Sequence, residues 1–288
     1  MLVSLKSKPP RIPDHDPGPL APVLDWVDPR FGPILQVFGT QAAAPEPRWW
    51  LYNCTLARPL GEYFIDFDQI AMGSSISGSQ ALRRALGEAI ERYNCASSFQ
   101  FAETRFAPLQ DNPMASLFPT CAEFESCLDS LKRLPLDKEI TQVRMKTLAE
   151  DHEVWVPAGF VHLTFVRKKS EPMVATSITS GLAFHDDLTK AIWGGLMEYA
   201  ERDAIMSVWW NRIESPRILI NSQVEDVGLS ERFRRLQSAN SEAILFDVTS
   251  DFRIPTVFCI LKSKSPPYVT VGGACNDDPI LACSKALE

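Results

Sequence analysis

Histidine is scarce, four in 288 residues, and none of the seven cysteines belongs to a Cys-x-x-Cys pair. These shortages argue against a structural zinc site and a disulfide framework, which need closely spaced soft ligands or an even, patterned cysteine count. Reduced thiols and a cytoplasmic location are expected. No stretch approaches the roughly 18 apolar residues of a membrane span, and Met1-Leu2-Val3-Ser4-Leu5-Lys6 lacks an apolar signal core. Positive charge is also short, with 29 Lys and Arg against 36 Asp and Glu for a net charge of -7. A chain that coats nucleic acid or an anionic membrane needs a basic face, so neither is an expected partner. What remains, 45% apolar and 23% charged, is ordinary globular composition.

Against that background one pattern is present twice. Leu86-Gly87-Glu88-Ala89-Ile90-Glu91-Arg92 and Leu196-Met197-Glu198-Tyr199-Ala200-Glu201-Arg202 match at Leu, both Glu and Arg. Side chains three and four residues apart share a helix face, so each copy sets two carboxylates beside an arginine. A further self-similarity aligns Gly181-Leu182-Ala183, Asp186-Asp187, Ala191 and Leu196 with Gly272-Gly273-Ala274, Asp277-Asp278, Ala282 and Leu287 at constant offset. The chain is therefore read as repeated strand, small-residue loop and helix units.

Ten of the 22 prolines fall in residues 1–48, which predicts a Pro-rich arm, flexible over 1–22, with the domain running from 23 to 288. Strands are expected at Trp49–Ala57, Val154–Pro157, Val161–Phe165, Arg217–Asn221, Ala243–Val248, Thr256–Leu261 and Tyr268–Val271. Helices are expected after the Gly73–Ser79 loop, at about 121–134, from Asp186 or Asp187 to Trp210, and at Ser230–Ala239. Residues 96–119, with three prolines, read as irregular. The fold class is mixed α/β (α+β), with helices packed on largely antiparallel sheet.

Arg84, Glu88 and Arg92 also suit a solvated i, i+4 ladder worth only a few tenths of a kcal/mol per pair. Its recurrence in register after Gly/Ser-rich loops favours a site shared by two pseudo-equivalent helices. Converging carboxylates need cations among them, and hard oxygen donors without histidine favour Mg²⁺ or Ca²⁺. The glycine spacing of Gly73–Gly78 is that of a P-loop, but Ser79-Gln80 stands where Lys-Ser/Thr belongs, which excludes that motif. Gly194-Gly195 within a helix costs roughly 1 kcal/mol per glycine, and either a ligand or tight helix packing explains it.

Ala85-Leu86-Gly87-Glu88-Ala89-Ile90-Glu91-Arg92-Tyr93, Ser180-Gly181-Leu182-Ala183, Glu198-x-x-Glu201-Arg202-Asp203-Ala204, and Asp247-Val248-Thr249-Ser250-Asp251 with Ile254-Pro255 together resemble a YcaO domain, from about Asp28 onward. The resemblance implies ATP and Mg²⁺ as cofactors, with the metals on Glu88, Glu91, Glu198 and Glu201. It implies nucleotide contacts at Ser74, Ser75, Arg84, Arg92, Ser177, Ser180 and Arg202, the two motif arginines either orienting carboxylates or reaching phosphate. The implied reaction is cyclodehydration of Cys, Ser or Thr to azolines in a ribosomally made precursor peptide, helped by a leader-binding partner protein. A homodimer is among the assemblies it allows. Thioamide or amidine formation, or a non-catalytic scaffold, are the alternatives. Arg84 stands where many members carry Ser, Ser180 where Asn is common, and residues after Glu288 are expected to be needed for turnover.

Overall fold

The computed structural model describes residues 14–43, 46–57, 70–112, 137–150, 152–163, 165–172, 178–220, 226–264, 266 and 268–288. In chain order the strands are β1 (Ile34–Gln41), β2 (Trp50–Leu56), β3 (Ile70–Ser75), β4 (Thr104–Pro108), β5 (Glu139–Lys146), β6 (Glu153–Pro157), β7 (Arg217–Ile218), β8 (Ser241–Asp247), β9 (Thr256–Ser263) and β10 (Val269–Cys275). The helices are α1 (Gly78–Ser98), α2 (Ala158–Val161), α3 (Leu188–Asn211), α4 (Val227–Ser238) and α5 (Pro279–Ala286). The chain divides into two compact units: residues 1–57, 69–91 and 180–288, and residues 58–68 and 92–179.

The first unit holds two antiparallel sheets, in the orders β1-β2-β3 and β10-β9-β8-β7. In β2 alternate residues Tyr52, Cys54 and Leu56 point inward, as the period of two requires. Beneath this sheet α1 buries Ala81, Leu82, Ala85, Leu86 and Ala89, a stripe rich in small side chains. The stripe permits unusual closeness, since a Cβ on Gly73 of β3 would lie 2.2 Å from the Ala81 carbonyl oxygen. The same device recurs in the other two repeats. A Cβ on Gly195 of α3 would lie 2.6 Å from the Gly181 oxygen, and one on Gly272 of β10 would lie 2.7 Å from the Ala286 oxygen. Tight packing thus accounts for Gly195, whereas Gly194 has only Ala183 Cβ at 3.4 Å.

On the second sheet α4 and α5 bury Leu229, Leu236, Ala282, Cys283 and Ala286 against Leu245, Val257, Cys259 and Ala274. Carboxylate caps start three helices: Asp187 accepts from Lys190 N, Asp226 from Leu229 N, and Asp278 from Ile280 N and Leu281 N. In the second unit β4-β5-β6 is antiparallel. The buried Glu171 carboxylate accepts from Thr141 N at 2.7 Å, Thr141 Oγ1 at 3.0 Å and Lys168 N at 3.2 Å.

Several expectations are corrected here. Residues 18–26 form 3-10 turns, and His15 hydrogen-bonds Tyr52 Oη through Nδ1 at 2.7 Å, so this part of the arm is tied to β2. Residues 34–41, for which no strand is expected, are a strand, and residues 104–108 pair with β5 inside the stretch read as irregular. Of the strand expected at 161–165, Val161 instead ends the helix Ala158–Val161 and His162 hydrogen-bonds Ser98 Oγ through Nδ1, while residue 164 lies outside the described residues. Gly73–Ser75 end β3 rather than belonging to a loop. The helix expected at 121–134 lies outside the described residues.

Candidate functional site

A cleft of about 490 Å³ opens in the first unit, lined by α3 through Lys190, Trp193, Gly194, Met197, Glu198 and Glu201. The end of β10 and the turn after it supply Gly273 to Asp277, with Arg84 of α1 and Lys285 of α5 completing the wall. Its volume lies in the range of small-molecule sites. Carboxylates and cations therefore share one concave surface.

The expected residues divide sharply. Glu198 accepts the Gly181 N–H at 3.0 Å and pairs with Arg202, whose Nε and Nη2 lie 2.9 and 2.8 Å from Oε1. The i, i+4 ladder therefore exists in this copy, and Arg202 orients a carboxylate. Glu201 accepts the Cys275 N–H at 3.2 Å, which ties α3 to the third repeat. Burial pushes its pKa up, opposed by the Cys275 N–H and the Arg202 charge and reinforced by the neighbouring Glu198.

In the first copy, Glu88 accepts the Met72 N–H at 2.7 Å, and neither Glu88 nor Glu91 lines the cleft. Arg84 pairs with Glu288 across the chain rather than with Glu88 one turn on, so the surface-ladder reading does not describe it. Arg92 belongs to the second unit, because the division falls after Glu91. Ser75 is fully buried, with Oγ donating to Gln80 Oε1 at 2.9 Å and Glu288 Oε1 at 3.2 Å, which removes it from any surface a nucleotide could touch. Ser74 Oγ donates to the Glu288 carbonyl at 3.1 Å. Ser180 is half-buried in the turn before Gly181. Ser177 lies outside the described residues.

Among the described residues no three His, Cys, Asp or Glu side chains stand close enough to form a ready-made metal cage. The donor set of the cleft is instead suited to a metal that arrives with its own anionic ligands. Mg²⁺ keeps several waters and uses one or two carboxylates plus phosphates, and Glu198, Glu201 and the nearby cations match that demand. Lys190, Lys285 and Asp277 were absent from the sequence expectations. The signal was available for Asp277 alone, since the constant offset already aligned it, with the β10 glycines, to the second repeat.

A second cleft of about 480 Å³, lined among others by Trp49, Leu51, Leu261, Tyr268 and Val271, lacks this pairing of acid and base. No helix among the described residues is long and apolar enough to cross a membrane.

The family model for YcaO cyclodehydratase, ATP- and Mg²⁺-binding, matches residues 72–288. An uncharacterized protein of Methanothermobacter thermautotrophicus is 28% identical over 232 residues, 76% of this chain and 55% of its own length. The chain thus spans about half the length of that curated relative. A heterocyclase solved in complex with substrate and cofactor superposes with TM-score 0.77 at 18% identity, over 93% of this chain and 38% of that one. YcaO from Methanopyrus kandleri, bound with AMPPCP and Mg²⁺, gives TM-score 0.61 at 19% identity, over 88% of this chain and 60% of that one.

Proposed function

Because this chain belongs to the YcaO cyclodehydratase family, whose model spans residues 72–288, we propose that its α3 cleft takes Mg-ATP and serves ATP-dependent activation of a peptide backbone amide. The observation that carries the reading is the meeting of Glu198 and Glu201 with Arg84, Lys190 and Lys285 in one cleft. When bound, Mg-ATP supplies an electrophilic phosphoryl group. Glu198 and Glu201 would hold the metal, and the three cations would neutralise phosphate charge. Arg202 and the Gly181 N–H fix the Glu198 carboxylate, while the Cys275 N–H fixes that of Glu201, so neither has to be ordered on binding.

The substrate class is a ribosomally made peptide, and the reaction is closure of a Cys, Ser or Thr side chain onto the preceding amide to give an azoline. Overall, the peptide loses one water per ring while ATP becomes ADP and phosphate. A leader-binding protein is the proposed partner. Calorimetric titration of Mg-ATP into the full chain tests the nucleotide reading, with binding expected for the wild type and lost in Glu201→Gln. Mass spectrometry of Cys- and Ser-containing peptides incubated with Mg-ATP tests the chemistry. Loss of one water per ring supports azoline formation, and ATP consumption with unchanged peptide mass across that panel counts against it.

A further inference from the structure

Arg84 engages only one of its three nitrogens. Nη1 donates to the Ser74 carbonyl at 2.6 Å and to the Glu288 carboxylate, while Nε and Nη2 make no hydrogen bond among the described residues. The side chain is 39% exposed and lines the α3 cleft. A planar guanidinium with one corner pinned and two donors idle offers a preformed fork for an oxyanion.

The pin is itself held from behind. Glu288 is 2% exposed, and its Oε1 accepts from Arg232 Nη2 and from Ser75 Oγ. Arg232 of α4 is buried too, with Nη1 on the Gly228 carbonyl at 2.9 Å. Neither Glu288 nor Arg232 lines the cleft. One carboxylate lies between two guanidinium groups, so the cluster carries a net positive charge. The inner cation is walled off by protein, and the excess is expressed at the exposed one.

We propose that Arg232 and Glu288 are positioning residues for nucleotide binding, acting only through Arg84, whose free Nε and Nη2 take a phosphate oxygen pair. This rests on the reading of the cleft as an Mg-ATP site. Without Arg232, the Glu288 carboxylate can turn toward Arg84 or water, and the fork loses its fixed direction. The two buried residues thus set affinity at a distance, through the geometry of a third.

A double-mutant cycle on the full chain tests this, with Mg-AMPPCP binding measured by calorimetry and folding followed by Tm. Arg232→Gln is expected to weaken binding about tenfold in the wild-type background and to have no further effect once Arg84→Ala is present. Arg232→Lys, which keeps the charge and folds more readily, should recover part of the loss, and Glu288→Gln should behave as Arg232→Gln. A purely structural role would lower Tm in every background without that coupling. Additive losses from Arg84→Ala and Arg232→Lys or Arg232→Gln, or an Arg232→Lys chain that is folded and binds worse than Arg232→Gln, overturn the inference alone. A wild type that does not bind Mg-AMPPCP overturns the nucleotide reading, and the inference with it.

Discussion

α1 and α3 carry the same Leu, Glu, Glu and Arg in register, yet the fold uses them differently. On α1 the first glutamate ties the helix to its own strand at Met72, while Arg84, one turn before it and outside the shared motif, reaches Glu288, 204 residues away. On α3 the first glutamate holds its own loop at Gly181 and keeps Arg202, while the second reaches forward to Cys275. Only the α3 pair faces the cleft. A local motif fixes which groups share a helix face. Whether they bind a ligand or brace a neighbour is decided by what the next repeat brings opposite them.

The sharpest way to break this comparison is at the glycines. Gly73→Val or Gly195→Val would drive a side chain into backbone that cannot yield, at a cost of about 3 kcal/mol. Gly194→Ala meets only ordinary contact and should gain up to about 1 kcal/mol of helix propensity. Denaturant melts of the three variants separate them, and equal effects at 194 and 195 would contradict the packing described here.

Next in size, Glu198→Gln and Glu201→Gln should each weaken Mg-ATP binding at least about tenfold. Glu88→Gln should weaken it less, because Glu88 does not line the cleft. Calorimetry giving the reverse order would move the metal to α1.

A smaller effect concerns pH. Burial raises the Glu201 pKa above the ordinary 4.5, so the folded chain keeps this proton at a pH where the unfolded chain has lost it. The group therefore costs stability above its folded pKa; that cost shrinks as pH falls through the folded pKa and is gone below the ordinary 4.5. Glu201→Gln should raise the Tm of nucleotide-free protein at pH 7 by about 1–2 °C at most, since the side chain is partly solvated, with the gain shrinking in acid. Mg-ATP affinity should begin to fall at a higher pH than an ordinary glutamate would give.

The smallest effect lies away from the cleft. Arg234 and Arg235 hold the Glu231 pKa down to about 2. Its contribution is present above the ordinary 4.5 and lost as pH falls toward 2. Because the cluster is solvated, Glu231→Gln should leave Tm within about 2 °C at pH 7.

What could be read from residues alone follows from these same distinctions. The helix after the Gly73–Ser79 stretch, the start of α3 at Asp187 and the strands β9 and β10 were legible because period and capping are local. β5 escaped notice because it is the central strand of its sheet, with buried Thr141 and Gln142 interrupting any alternation. β1 was hidden by the prolines around it. The helix face shared by Glu198 and Glu201 could be read from the repeat, whereas the separation of the α1 pair from the cleft that they line could not, since it depends on where Glu288 and Cys275 arrive in space. The burial of Ser75 was hidden for a similar reason, being set by Gln80 of α1 and by Glu288 rather than by its neighbours in sequence.

The hydrogen bond from Cys275 N to Glu201 spans 74 residues, which gives the cleft a position in time as well as in space. A chain made from its N-terminus carries both acidic helices before β10 exists. At about 5–20 residues per second the interval from Glu201 to Cys275 is roughly 4–15 s, long compared with helix formation. During it, Glu201 has its charge without the strand that anchors it. The cleft is thus incomplete until β10 has been made, and a pause in translation between residues 201 and 275 would prolong the stage at which the acidic face of α3 stands open.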